Sequence, residues 1–150
     1  MLEPNTKRTK IHYNSLKNQL GQGVEKKDEN NINLNIPLNS SNDSEFGAAE
    51  MMVSLLAASQ FTEENNNKTE MESFVETTNK FFSILGELKN ENKGFWWDFY
   101  VTLFYDLVKT NNSEAFSYYI SQSSDQDKIE KWFAENPHKM QEFKKWMNQE

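Results

Sequence analysis

The stretch from Thr69 to Leu88 limits the fold more than any other. Met71, Phe74, Val75, Thr78, Phe81, Phe82, Leu85 and Leu88 recur three and four residues apart. That pattern draws one apolar stripe, about five turns long, down a helix. Thr69 and Glu72 stand three residues apart at its start, the hydroxyl–carboxylate pair that satisfies the free N–H groups of a first turn. The charged run KNENK and Gly94 mark its end. A chain of 150 residues has enough length to bury such a stripe in one core.

The segments on either side also read as helical. Asn42, Asp43 and Ser44 are good N-cap residues for a helix through FGAAEMMVSLLAASQF, with Met52, Leu55, Leu56 and Ser59 as its stripe. Its small residues, Gly47, Ala48, Ala49, Ala57 and Ala58, let a second backbone come close. Further on, FWWDFYVTLFYDLVK holds Phe95, Trp96, Trp97, Phe99, Tyr100, Phe104 and Tyr105, so apolar side chains nearly surround the helix. Such a helix is either central or faces a second surface. Asp98 and Asp106, eight residues apart, are expected on its wet side.

Three shorter helices complete the body. Asn112 is expected to cap SEAFSYYISQ, with Phe116, Tyr119 and Ile120 inward. Ser124 is expected to cap DQDKIEKWFAEN, with Ile129, Trp132 and Phe133 inward. Asn136 precedes Pro137, which suits a first helical turn, and Met140, Phe143, Trp146 and Met147 form the last stripe. The expected fold is therefore mainly α: a compact bundle or array of about six helices over residues 44–150. An extended, partly strand-like N-terminal arm over residues 1–43 precedes it.

The arm differs in composition. It is rich in Asn, Ser, Lys and Gln and carries one aromatic, Tyr13. Within it Ile32, Leu34, Ile36 and Leu38 alternate with Asn31, Asn33, Asn35, Pro37 and Asn39, which is strand periodicity. A strand needs a neighbour, and no evident partner strand appears in the chain, KIHYN at 10–14 being the one exception. The segment is expected either to lie across the helical body or to add to the sheet edge of another chain, where Pro37 suits one-sided pairing.

Charge is unevenly spread. The chain has a net charge of -7, yet residues 1–27 carry Lys7, Arg8, Lys10, Lys17, Lys26 and Lys27 against Glu3 and Glu25. A short basic segment on an acidic body points to an acidic contact: a neighbouring protein or, more weakly, nucleic acid through Lys7, Arg8 and Lys10. There is no cysteine, which excludes disulfides and thiolate chemistry. His12 and His138 stand in no metal-binding spacing, and no nucleophile elbow, phosphate loop or dinucleotide fingerprint occurs. No catalytic, cofactor-binding or metal-binding residue is assigned. An enzymatic reading would have to use Asp98 or Asp106, and acids at helical spacing ordinarily belong to solvated faces.

No apolar run approaches the length of a membrane span, and Lys93 and Lys109 alone flank the aromatic helix, too few cations for a membrane-surface helix. The first twenty residues are polar, so a secretory signal peptide is not expected, and a virion or the cytoplasm is the expected location. The expected function is a non-enzymatic structural or accessory subunit of a large assembly, with a phage or viral particle as the leading example. It would bind other protein subunits, copies of itself included, through Ile32, Leu34, Ile36 and Leu38 of the arm and Trp96, Trp97 and Tyr100 of the aromatic helix. The alternative is a soluble intracellular adaptor, inhibitor or immunity-type protein that binds one partner through the helical body.

Overall fold

The structure is a computed structural model and describes residues 6–21, 24–27, 31–34, 46–62, 67–89 and 92–148. Among them the chain is mainly helical, in a compact array. The elements are α1 (Lys7–Leu20), β1 (Val24–Lys26), β2 (Ile32–Leu34), α2 (Gly47–Ser59) and α3 (Glu70–Leu88). A π-helix (Trp96–Val101) then runs into α4 (Thr102–Lys109), followed by α5 (Ser113–Ile120), α6 (Gln126–Glu135) and α7 (Pro137–Met147).

The central element is α3, against which α2, α4 and α5 pack. Its capping box is formed in full: the Thr69 hydroxyl accepts from the Glu72 backbone N–H at 3.2 Å, and the Glu72 carboxylate accepts from the Thr69 N–H at 2.7 Å. The stripe serves three apolar clusters in turn. Phe74 lies with Tyr13 and Ile120, Phe82 with Leu107, Ala115 and Phe143, and Leu85 with Ala49, Trp97 and Val101. Phe82 stacks on Phe104 with ring centroids 4.5 Å apart, which ties α3 to α4.

The polar start of the chain departs from the expected extended arm, because residues 7–20 form a 14-residue helix. KIHYN is thus helical and not a strand. The Thr6 hydroxyl caps the helix by accepting from Thr9 N at 3.1 Å. Thr9 and Tyr13 are buried, and Leu16 and Leu20 pack in the same cluster as Tyr13. These four residues recur at spacings of four, three and four, a helical stripe thin enough to be hidden among polar neighbours. Tyr13 meets Phe74 edge to face, with centroids 5.3 Å apart.

The alternating segment finds its partner within its own chain. β2 pairs antiparallel with β1 in the register Val24↔Leu34, Glu25↔Asn33 and Lys26↔Ile32. A further bond from Lys27 N to the Asn31 carbonyl, 2.9 Å, extends the ladder. Ile36 and Leu38 lie outside the described residues, as do Asn42, Asp43 and Ser44.

Two helices turn differently from expectation. In α2 the buried residues are Ala49, Ser54 and Ala57, while Met52 and Leu55 face solvent. The small side chains let α2 approach α3 closely, so the larger ones are left outside. The cap of α6 is Asp125, whose carboxylate accepts from Lys128 N; Ser124 instead donates its hydroxyl to the Ser121 carbonyl at 2.6 Å. Asn112 and Asn136 hold the N-cap positions of α5 and α7, but neither side chain caps its helix. The Asn136 amide donates back to the Trp132 carbonyl at 2.9 Å and so closes the end of α6.

Candidate protein-docking surface

Gly94 introduces the aromatic segment at φ 119°, a left-handed conformation that favours glycine. Its N–H donates to the Asp98 carboxylate at 3.1 Å, which fixes the entry of the chain into the helix. The first turns are then π-helical, with the wider i→i+5 bonding that recurs at functional sites. At their end the Thr102 hydroxyl donates to the Asp98 carbonyl at 2.8 Å. Asp98 also lies 3.9 Å from the Lys89 ammonium.

Two residues anchor this segment. Trp97 is 1% exposed and stacks on Phe46, with centroids 4.6 Å apart and rings within 9° of parallel. Val101, one turn on, is buried beside it with Ala49 and Leu85. The expectation that Trp97 meets a partner is therefore corrected: it belongs to the core. Its indole N–H has no hydrogen-bond partner among the described residues.

The opposite face is aromatic and wet. Phe95 is 66% exposed, Trp96 and Phe99 54% each, and Tyr100 37%. These four rings form one surface. Phe95 and Phe99 are parallel with centroids 5.9 Å apart, Trp96 lies over Tyr100 at 5.1 Å, and Tyr100 meets Phe99 edge-on at 5.0 Å. Tyr100 in turn contacts Phe104, which is half-buried in the core. The surface is thus a rigid apolar platform with two polar tips, the Trp96 indole N–H and the Tyr100 hydroxyl. Large contiguous exposed apolar patches mark interaction sites, and aromatic residues are the ones enriched there.

Of the residues expected to face a partner, Trp96 and Tyr100 are on this platform. Phe95 and Phe99 belong with them; the signal for both was the apolar character of the helix on all sides. Ile32 is half-buried in β2, and Leu34 stands opposite Val24 in the ladder. Lys7, Arg8 and Lys10 are exposed on the first turns of α1 and form no ion pair among the described residues. Asp98 and Asp106 do not converge on a reactive centre. Asp98 holds the start of the π-helix, and Asp106 accepts from the Trp146 indole N–H at 2.6 Å, joining α4 to α7. Among the described residues no cluster of His, Asp or Glu is arranged to hold a metal, and no helix is long and apolar enough to cross a membrane. A second exposed apolar strip, Met51, Met52 and Leu55, lies along α2.

Comparison of the chain with protein-family models, with curated proteins and with solved structures finds no match.

Proposed function

We propose that this chain is a non-enzymatic subunit or accessory protein that docks on another protein chain through Phe95, Trp96, Phe99 and Tyr100, a phage or viral particle being one setting for it. The observation that carries the reading is the exposed platform itself: four mutually packed rings turned outward from a helix whose inner side is locked by Trp97. Aromatic anchors of this kind supply most of the binding energy in protein interfaces. The exposed rings lie on the helical body, which favours docking there over docking by the arm. An adaptor that binds one partner through that body uses the same surface.

Photo-crosslinking tests this. A benzoylphenylalanine at Phe99 is expected to give a discrete protein adduct in the native source, and the same group at exposed Lys145 on α7 is not. The double variant Trp96→Ser with Phe95→Ser should abolish the adduct while leaving thermal unfolding unchanged. Adducts of equal yield from both positions, or an adduct indifferent to the double variant, would sink the proposal.

A further inference from the structure

Where the first turn of α1 meets the turn between α5 and α6, the surface holds a hollow of about 190 Å³. Thr6, Lys7 and Lys10 line it from α1, Gln122 and Ser123 from the turn, and Gln126 from the start of α6. None of the six is acidic, and two are cations. Lys7 and Lys10 are three residues apart, so they share one side of the helix. Both are exposed, and neither forms an ion pair among the described residues. The groove beside the other end of α1 is different, because its Lys17 pairs with Glu70 and its Lys68 with Glu76. No acid occurs in α1, and its start adds the positive pole of a 14-residue helix. The remaining wall is uncharged. The Ser123 hydroxyl is buried and bonds to nothing among the described residues, while Gln126 Nε2 already donates to the Glu130 carboxylate at 2.7 Å. The two ammonium groups, open to solvent and uncompensated, are what select a ligand here.

Charge and size together name the occupant. Two unpaired cations side by side favour a group that carries two negative charges and repel any cation. A carboxylate or a phosphodiester carries one. A phosphate monoester carries about -1.5 to -2 near neutral pH, with three acceptor oxygens to share between two ammonium groups. The hollow is smaller than the roughly 300–1,000 Å³ that encloses a drug-sized molecule, so it takes one group of a ligand and leaves the rest outside. We infer that it is a phosphate-monoester site, in which Lys7 and Lys10 hold the phosphate oxygens against the start of α1. It shares no residue with the aromatic platform and does not rest on the docking proposal.

Inorganic phosphate is the probe, titrated at about pH 7.5, where the dianion prevails, into the ¹⁵N-labelled full chain at constant ionic strength. The Lys7, Lys10 and Ser123 amides should shift saturably. Lys7→Gln with Lys10→Gln should raise the dissociation constant roughly fivefold or more. Lys93→Gln with Lys144→Gln removes the same charge from exposed positions elsewhere and should leave it unchanged. Methyl phosphate should bind as phosphate does, and dimethyl phosphate, which mimics a nucleic-acid backbone, roughly fivefold more weakly. Shifts that do not saturate, equal weakening in the two double variants, or dimethyl phosphate binding as tightly as methyl phosphate would overturn the inference. Should the Lys7 and Lys10 double variant fail to fold, the parent decides: saturable shifts centred on Lys7, Lys10 and Ser123 support the site, and shifts elsewhere refute it.

Discussion

Gly86 lies near the end of α3 with the Tyr105 ring seated on it, and replacing it by alanine tests the α3–α4 contact directly. A Cβ at this position would stand 2.1 Å from Cδ2, 2.2 Å from Cγ and 2.5 Å from Cε2 of Tyr105. Carbon atoms in contact prefer separations of about 3.5–4.0 Å, so the ring must withdraw by more than about 1 Å. It is not free to do so. Its hydroxyl donates to the Glu87 carboxylate at 3.1 Å, and the Lys109 ammonium sits 4.9 Å from its centroid. Overpacking of this kind costs about 1–3 kcal/mol, and three ring atoms inside contact distance argue for about 3. Alanine returns about 1 kcal/mol through its higher helix propensity. The net loss is about 2 kcal/mol, a fall of about 4–8 °C in Tm for a chain of this size. In a Tyr105→Ala background the clash is absent, and Gly86→Ala should instead stabilise by about 1 kcal/mol. Thermal unfolding followed by circular dichroism reads both. A stabilising Gly86→Ala in the parent, or the same change in both backgrounds, refutes the reasoning.

Neighbouring tryptophans should behave oppositely: Trp97→Ala is expected to cost about 3–5 kcal/mol in urea unfolding, and Trp96→Ala less than about 0.5. Equal losses would contradict the assignment of one to the core and the other to the surface. Tyr13→Ala should cost about 3 kcal/mol and raise the hydrogen exchange of α1 amides above that of α3, whereas an unchanged exchange pattern would mean that α1 is held by something else. Acid should weaken the fold. Thr69 hydrogen bonds hold the Glu72 carboxyl below its ordinary range, as Lys68 and then Lys80 do for Glu76, Lys128 for Asp125 and Lys145 for Glu142. Each folded pKa is depressed, so the native state binds fewer protons. The stability these groups add is complete above the unfolded carboxylate values and is lost as pH falls through the folded ones. Urea midpoints measured from about pH 6 down to about pH 3 should therefore decline, and a flat profile would show that these pairs contribute nothing.

How far the sequence carries depends on whether a signal is local. α3 was legible because its period, its capping box and its breaker all lie within the segment itself. α1 was not, because its stripe of Thr9, Tyr13, Leu16 and Leu20 is sparse and matters only through contact with Phe74 and Ile120, distant in the chain. The hairpin was missed on one side: Val24–Lys26 is three residues long with a single apolar member, too short to show alternation. In α2 both faces are apolar, and periodicity cannot say that Ala49 and Ala57 go inward while Met52 and Leu55 stay out; close approach to α3 decides it. The same limit governs the site. An all-round aromatic helix is either central or faces a second surface, and which of Trp96 and Trp97 lies outside is a matter of phase, set by the Phe46 stack and the π-helical start.

Core packing by itself does not account for the platform. Burial in this segment is satisfied by Trp97 and Val101, four residues apart, so positions 95, 96, 99 and 100 were open to polar side chains. The chain has them in supply, with 26% of its residues charged. On α6 it uses them in that way: Ile129 is buried, while Gln126, Asp127, Lys128, Glu130 and Lys131 fill the exposed positions. Placing Phe95 just before the π-helix and Trp96, Phe99 and Tyr100 on it exposes rings that water penalises. A partner that covers them removes the penalty. The rings are already packed on one another and fixed from below, so little side-chain freedom is lost when it does.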